Sequence, residues 1–175
     1  MFKLFKKSYS EREKFLFDFL RKSYLFENLE NEELVNFIPY LFLRKYQRDE
    51  VVFFTGDPSH AIYIVKSGII GLNLDLDDGF EKIMALRSGA LFGDNAVLPD
   101  TKRIYSAIVE TESAELYVIP KVNIEEIMGD EPVIKAKIMT SFAETYNSYL
   151  SKLFKVYKSS VGFFDLNTVY SDSEF

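Results

Sequence analysis

Residues 89 to 107 read Gly-Ala-Leu-Phe-Gly-Asp-Asn-Ala-Val-Leu-Pro-Asp-Thr-Lys-Arg-Ile-Tyr-Ser-Ala and are the most informative segment of the chain. Gly93 comes directly before a predicted helical turn at 94–98, and Arg103 follows just before an apolar strand. A glycine lets a ligand approach the backbone, the first turn of a helix offers free N–H groups, and an arginine can hold two oxygens of one phosphate. Together they predict a cradle for one phosphate diester, too small for a polyphosphate.

The same stretch resembles the phosphate-binding cassette of the cyclic nucleotide-binding domain family. The family pattern reads roughly Phe-Gly-Glu-x-Ala-Leu, then a loop, then Pro-Arg-x-Ala-Thr. The residues that match it without a gap are Phe92, Gly93, Ala96 and Arg103. The residues that depart from it are Asp94 (glutamate in the family), Lys102 (proline), Ser106 (threonine), and Ile104 and Tyr105 (small residues).

Upstream segments resemble the same family in the same order. Residues 56–58 read Gly-Asp-Pro and residues 61–68 read Ala-Ile-Tyr-Ile-Val-Lys-Ser-Gly, similar to the family's turn and the strand after it. Arg-Ser-Gly at 87–89 resembles the turn before the cassette. Several motifs in the right order are more specific than any one of them, and the likeness extends over residues 25 to 128.

Between residues 41 and 119, short apolar runs alternate with glycine, aspartate and proline. The runs predicted to be strands are 41–46, 51–54, 61–65, 69–76, 80–86, 104–109 and 115–119. Such regular spacing is typical of an antiparallel sandwich or barrel, and Asp77-Asp78-Gly79 predicts a hairpin turn. With the resemblance, the expected fold is mainly β with flanking α: a double-stranded β-helix, the jelly-roll or cupin-like β-roll, with N-terminal helices and a long C-terminal helix.

Helical patterns flank this region. Ser10 and Glu13 form a capping-box pattern that predicts a helix over 10–23, and Asn31 as an N-cap predicts a second over 31–37. A short helix is expected to end near Gly129, and a long one to run from Glu131-Pro132 to about Gly162. The expected organisation is N-terminal helices (1–40), a β-roll (41–128), a C-terminal lid or dimerisation helix (129–162) and a tail (163–175).

The long helix carries large apolar residues at heptad spacing. This predicted seam consists of Met139, Phe142, Tyr146, Tyr149, Leu153 and Val156. One interpretation is that the seam packs on the chain's own roll; the other, which we favour, is that it pairs with a second copy in a homodimer. The resemblance further implies that a residue of this helix covers the nucleotide base, with Tyr146 and Tyr149 as the stacking candidates.

The resemblance implies cyclic AMP or cyclic GMP as the ligand. The implied ligand-binding residues are Gly93, Asp94, Asn95, Ala96, Arg103, Ile104 and Ser106. In this scheme Arg103 and backbone N–H groups near Gly93 and Ala96 hold the phosphate, and Asp94 accepts a hydrogen bond from the ribose 2′-hydroxyl. Asp94 is one methylene shorter than the family glutamate.

Two questions stay open at the level of sequence. Tyr105 fills the position of the purine if its side chain points into the roll, and spares it if it points outward. Arg103 also has an alternative role, pairing with Asp94 or Asp100 in a corner without a ligand. In that case the protein is a degenerate β-roll that serves as a dimerisation or protein-interaction module for an unidentified partner.

The residue types that the chain lacks argue against several classes of function. The chain has no cysteine, one histidine (His60), and no Gly-Lys-Ser or Gly-Lys-Thr loop. A histidine metal site, a cysteine or serine triad and a phosphate-binding loop are therefore not expected, so we predict no enzyme, no cofactor and no metal. The net charge of −6 and the few residues after the long helix argue against direct DNA binding. The absence of long apolar runs argues against a membrane span, and the lack of cysteine fits a cytoplasmic location.

Overall fold

The computed structural model describes residues 8–76 and 79–161. Over these residues the helices are α1 (Glu11–Leu20), α2 (Asn31–Leu34), α3 (Lys121–Asp130) and α4 (Pro132–Val161). The strands are β1 (Phe42–Gln47), β2 (Val51–Phe53), β3 (Ala61–Ser67), β4 (Ile70–Leu76), β5 (Gly79–Leu86), β6 (Leu91–Phe92), β7 (Ser106–Val109) and β8 (Ser113–Pro120). Short 3-10 helices occupy Ile38–Tyr40 and Asp94–Val97. The expected fold class is confirmed.

The strands form two antiparallel sheets of four strands each. The first has the order β1-β8-β3-β6 and the second the order β2-β7-β4-β5, so consecutive strands often belong to different sheets, as in a jelly roll. The space between the sheets is filled by the buried side chains of Phe53, Val65, Ile70, Leu72, Leu86, Phe92, Ala107, Val109, Ala114 and Leu116. This inner core is the interior of the β-roll.

A second core lies between the first sheet and the helices. Because side chains alternate along β3, Ile62 and Ile64 face the helices, whereas Val65 faces the roll interior. The residues that α4 contributes to this helical core are Ile134, Ile138 and Phe142. The helices therefore pack on the outer face of the first sheet.

The helix boundaries follow from local capping. The Ser10 hydroxyl accepts a hydrogen bond from the Glu13 N–H, and the Glu13 carboxylate accepts one from the Ser10 N–H, which confirms the predicted capping box. The prediction that Asn31 is the N-cap of α2 was wrong. Glu30 takes that position, and its N–H donates to the Glu33 carboxylate at 2.7 Å.

The predicted strands are all present, with shifts of a residue or two at most ends. The prediction missed β6, which is only two residues long and lies within the cassette segment. Leu74 and Leu76, at the end of β4, are both exposed, because β7 pairs with β4 only as far as Asn73 and the hairpin continues beyond it.

Some expectations lie outside the described residues. They concern the turn residues Asp77 and Asp78, the helix end at Gly162 and the tail at 163–175. The domain boundaries stay predictions.

Candidate functional site

Gly93 forms the corner between β6 and the 3-10 helix Asp94–Val97. Its φ of 68° lies in the left-handed region that favours glycine. A Cβ atom at this position would lie 2.6 Å from Nη1 of Arg103 and 3.3 Å from the carbonyl oxygen of Ala61. The turn and the close approach of the arginine therefore both require glycine here.

The backbone of Arg103 is fixed by the turn at residues 56–58. The Arg103 N–H donates to the carbonyl of Asp57 at 2.8 Å, and the Gly56 N–H donates to the carbonyl of Arg103 at 2.8 Å. Lys102 forms an isolated antiparallel bridge with Pro58. Two motifs far apart in the sequence thus meet and aim Arg103 into the roll.

The Arg103 side chain is buried beside Gly93, with a relative exposure of 4%. Nη1 donates to the Gly93 carbonyl at 2.8 Å and to Oδ1 of Asn95 at 3.3 Å, and Nη2 donates to the Ala61 carbonyl at 2.6 Å. The carbon at the centre of the guanidinium lies 4.2 Å from the centroid of the Phe53 ring, a cation–π contact.

No carboxylate lies within salt-bridge distance of Arg103 in the parts of the chain that the structure describes. The alternative in which it pairs with Asp94 or Asp100 is therefore not what the structure shows. Nε is buried and has no hydrogen-bond partner among the described residues. Burial lowers the pKa of Arg103, and the nearby Tyr63, Tyr105 and Asp94 act in the opposite direction. Among the described residues, this buried cation is thus contacted by carbonyl, amide and aromatic groups and by no carboxylate.

Four aromatic rings line the roll interior next to this cation: Phe53, Tyr63, Phe92 and Tyr105. The ring of Phe53 lies 5.6 to 5.8 Å from each of the other three rings, and Tyr63 stacks on Phe92 at 5.1 Å. A cavity of about 500 Å³ opens nearby between β1 and β2, and Tyr63 lines it. Tyr63 thus contributes both to the surroundings of Arg103 and to this cavity.

Tyr105 points into the roll, and its neighbour Ile104 points outward with a relative exposure of 64%. The Tyr105 hydroxyl accepts a hydrogen bond from the Gly93 N–H at 3.0 Å. Burial, with a contribution from the charge of Asp94, raises the pKa of Tyr105 to about 12. The open question about this side chain is therefore answered: its ring points into the roll, the orientation in which it fills the position expected for the purine.

Asp94 is surrounded by tyrosines. The Tyr24 hydroxyl, from the segment between α1 and α2, donates to Oδ2 of Asp94 at 2.5 Å. Burial and then the charge of Asp94 raise the pKa of Tyr146 and of Tyr149, both on α4. This carboxylate therefore lies where the N-terminal helices, the cassette and α4 meet.

The remaining predicted ligand residues have structural partners. Asn95 accepts from Ser59 and donates to the carbonyl of Lys102, which holds the loop after the 3-10 helix. The Ala96 N–H donates to the Gly93 carbonyl at 3.2 Å. The Ser106 hydroxyl donates to Asp75 at 2.8 Å and accepts from the Thr55 N–H. The structure thus brings Gly93, Asp94, Asn95 and Arg103 together, whereas Ile104 faces outward and the Ser106 hydroxyl is committed to Asp75 and Thr55.

The predicted seam of α4 divides into two groups. Met139, Phe142 and Tyr146 pack against the chain's own helical core. Tyr149, Leu153 and Val156 are exposed, with half or more of each side chain accessible. The first group therefore does not lie on an exposed seam, and the second does.

Sequence reasoning did not identify Tyr24, Phe53 or Tyr63 as site residues. Tyr63 was part of a quoted motif, and its inward position follows from strand alternation, so the alternation was a usable signal. Tyr24 gave no signal, because its partner Asp94 lies 70 positions away.

Residues 8–76 and 79–161 contain no group of three or more histidine, cysteine, aspartate or glutamate side chains arranged to hold a metal ion. Over the same ranges, no helix combines the length and hydrophobicity needed to cross a bilayer.

Comparison with known proteins agrees with this geometry. A family model described as the cyclic nucleotide-binding domain matches residues 43–131. The "Cyclic AMP receptor protein" of Thermus thermophilus is 33% identical over 101 residues, which cover 57% of this chain and 46% of that protein. The regulatory domain of a Toxoplasma gondii protein kinase, crystallised with cAMP, superposes with a TM-score of 0.65 at 22% identity, over 82% of this chain and 52% of that one.

A third relative extends the fold comparison. The N-terminal domain of a transcriptional regulator from Streptomyces coelicolor has a TM-score of 0.68 at 18% identity, over 78% of this chain and 95% of that one. Curated relatives are longer than the matched segment, which spans 27%, 19% and 38% of three of them.

Proposed function

Because the chain belongs to the cyclic nucleotide-binding domain family, we propose that it is a regulatory module that binds cyclic AMP or cyclic GMP at the Gly93–Arg103 corner and signals through α4. The proposed role is non-enzymatic. Two of the proteins it resembles are named for this ligand or were crystallised with it. A cytoplasmic location stays a prediction.

The observation that carries the proposal is the buried guanidinium of Arg103. A buried charge is costly unless it is paired, and this one has no carboxylate partner among the described residues, while its Nε lacks any hydrogen bond. A singly charged phosphodiester supplies the missing negative charge and the missing acceptor. Arginine is suited to this because its fork matches two phosphate oxygens.

The neighbouring groups suggest how the rest of the nucleotide lies. We place the ribose 2′-hydroxyl at Asp94. Because the ring of Tyr105 points into the roll, we place the base outside the roll interior, toward Tyr146 and Tyr149, whose pKa values respond to the Asp94 charge. Ser106 is left out of the ligand contacts because its hydroxyl is bonded to Asp75. Binding at Asp94 would reach α4 directly through these two tyrosines.

Thermal or chemical unfolding in the presence of each nucleotide tests the proposal. A ligand at one hundred times its dissociation constant stabilises the folded protein by about 2.7 kcal/mol. Arg103→Gln removes the charge and should abolish the stabilisation, whereas the control Arg48→Gln, at an exposed position in the turn after β1, should keep it. Folded wild-type protein that neither nucleotide stabilises at millimolar concentration would contradict the proposal.

We also propose that the second half of α4 pairs with a second copy of the chain. Tyr149, Leu150 and Leu153 are 50%, 49% and 62% exposed and lie on one side of the helix. Burying such residues against an equivalent helix removes apolar surface from water.

Light scattering tests this pairing. Leu153→Glu should convert a dimer into a monomer, and the control Asn147→Glu, which adds the same charge at an exposed position of α4, should remain dimeric. A monomeric wild-type protein at high concentration would rule out the pairing.

A further inference from the structure

The cassette contains two hydrogen bonds that the family pattern does not imply, and both are made by tyrosine hydroxyls. The Tyr105 hydroxyl accepts from the Gly93 N–H at 3.0 Å, and the Tyr24 hydroxyl donates to the Asp94 carboxylate at 2.5 Å. Both tyrosines come from outside the Gly93–Val97 turn, one from the segment between α1 and α2 and the other from beside Arg103.

Each tyrosine hydroxyl plays the same donor or acceptor role as the ligand group proposed to bind at that position. A phosphate oxygen is an acceptor, and the Tyr105 hydroxyl acts as the acceptor at Gly93. A ribose hydroxyl is a donor, and the Tyr24 hydroxyl acts as the donor at Asp94. Since the Gly93 N–H is a single donor, a phosphate oxygen and the Tyr105 hydroxyl compete for it directly. The carboxylate has two oxygens, but each charge-assisted bond that it already makes weakens its gain from another.

Both tyrosines are held in place by contacts other than these hydrogen bonds. The Tyr105 ring packs 5.7 Å from the Phe53 ring in the roll interior. Next to Tyr24, Ser23 donates to the Gly89 carbonyl at 2.9 Å, and Leu25 is buried in the helical core. Removing either hydroxyl therefore leaves the ring and the segment anchored.

We propose that Tyr24 and Tyr105 set the nucleotide affinity of this protein by competing, through their hydroxyls, for the Asp94 carboxylate and the Gly93 N–H. This inference rests on the proposed function. It makes the two tyrosines specificity-determining residues: Tyr105 acts against the phosphate and Tyr24 against the ribose. Because Tyr24 belongs to the N-terminal helical segment, a ribose that takes over Asp94 also releases a contact between that segment and the cassette.

Titration calorimetry of the whole chain with cyclic AMP and cyclic GMP tests the proposal. Tyr105→Phe should bind about threefold to tenfold more tightly than wild type, the range expected for the loss of one competing neutral hydrogen bond. Tyr24→Phe should bind about threefold more tightly, a smaller gain, because Asp94 keeps a second oxygen for the ribose hydroxyl and the competition there is only partial. The matched control is Tyr117→Phe, whose ring packs against Phe19 on the helical side and whose affinity should equal that of wild type.

The 2′-deoxy analogue of the tighter-binding nucleotide separates the two competitors. It lacks the hydroxyl that competes for Asp94, so the gain from Tyr24→Phe should disappear with this analogue, while the gain from Tyr105→Phe should persist. If Tyr24→Phe gains as much affinity for the 2′-deoxy analogue as for the parent nucleotide, the role given to Tyr24 is overturned.

The remaining outcomes distinguish the inference from the function beneath it. Wild-type binding with no gain in either phenylalanine variant overturns the competition and leaves the proposed function standing. A gain in one variant alone overturns the role of the other tyrosine. Failure of all four proteins to bind either nucleotide overturns the proposed function and the competition with it.

Discussion

The two halves of α4 have the same heptad spacing but opposite surroundings. In the first half, Phe142 is buried and Met139 and Tyr146 pack against the helical core of the same chain. In the second half, Tyr149 and Leu153 are exposed. One pattern in the sequence thus corresponds to two different environments in the structure.

The difference shows what a heptad pattern can and cannot tell. Periodicity establishes that one face of a helix is apolar, but it does not say whether the cover comes from the same chain or from another. Length decides the matter here: a 30-residue helix is about 45 Å long, and the chain's own core accompanies it only to the level of Tyr146. The predicted seam therefore consists of one half that the chain's own core covers and one half that is exposed.

The greatest destabilisation is expected at Phe142, in the half of α4 that the chain covers itself. Phe142→Ala removes a ring that is 7% exposed and stacked on Tyr146 at 4.2 Å, so the free energy of unfolding should fall by about 3–5 kcal/mol. Chemical denaturation measures the change. The matched variant Leu153→Ala, measured at a concentration where the protein is monomeric, should stay within about 0.5 kcal/mol of wild type. Equal losses of unfolding free energy in the two variants would contradict the assignment of different surroundings to the two halves of α4.

Much of the β-roll was predictable because its signals are local. Each of the longer strands is an apolar run bounded by turn residues, and the capping box at Ser10 needs only a residue three positions away. The exceptions have physical reasons. β6 is too short to show a period, and the exposure of Leu74 depends on where β7 stops pairing, which no local pattern encodes.

The candidate site was predictable only in part. Gly93 and Arg103 belong to one short motif, and the left-handed turn at Gly93 with the buried guanidinium beside it accounts for both residues. The contacts of Tyr24 with Asp94 and of Ser106 with Asp75 join residues 70 and 31 positions apart. Such contacts depend on how the helices and sheets pack, which sequence spacing does not specify.

A smaller effect is expected at the junction of the two halves, where Tyr146 lies near Asp94. Burial and the Asp94 charge raise the pKa of Tyr146 from its usual 10.0, so the folded protein holds this proton more tightly than the unfolded chain does. The contribution of Tyr146 to the free energy of unfolding should therefore be constant below pH 10 and decrease as the pH rises further, through the folded-state pKa. Denaturation across this range, followed for wild type and Tyr146→Phe, measures the slope.

Tyr146→Phe keeps the ring and removes the titrating hydroxyl. Its stability should decrease less steeply in alkali than that of wild type. Some decrease should remain in both proteins, because both retain Tyr105 with its raised pKa. Identical slopes of the free energy of unfolding against pH would show that Tyr146 is not buried near Asp94 in solution. The covered half of α4 would then end before Tyr146.

The smallest expected effect concerns the ion pair that ties the first half of α4 to α2. Nζ of Lys137 lies 2.7 Å from Oε2 of Glu33, and both side chains are partly exposed. Desolvation acts to raise the pKa of Glu33, but the hydrogen bonds from Lys137 and from the Glu30 N–H, together with the charge of Lys137, prevail and hold that pKa below its usual value. The contribution of the pair is thus present above the unfolded-state pKa and is lost as the pH falls through the folded-state pKa.

Lys137→Met should lower the free energy of unfolding by about 0.5–1 kcal/mol at neutral pH, the range for partly exposed pairs, and the difference from wild type should vanish in acid. The control Lys152→Met, on the exposed second half of α4, should leave stability unchanged at both pH values because this lysine is exposed and is not among the described residues of the helical core. A loss from Lys137→Met that persists in acid would assign the effect to packing of the lysine stem on α2 rather than to the charge pair, since protonating Glu33 removes the charge and not the methylenes.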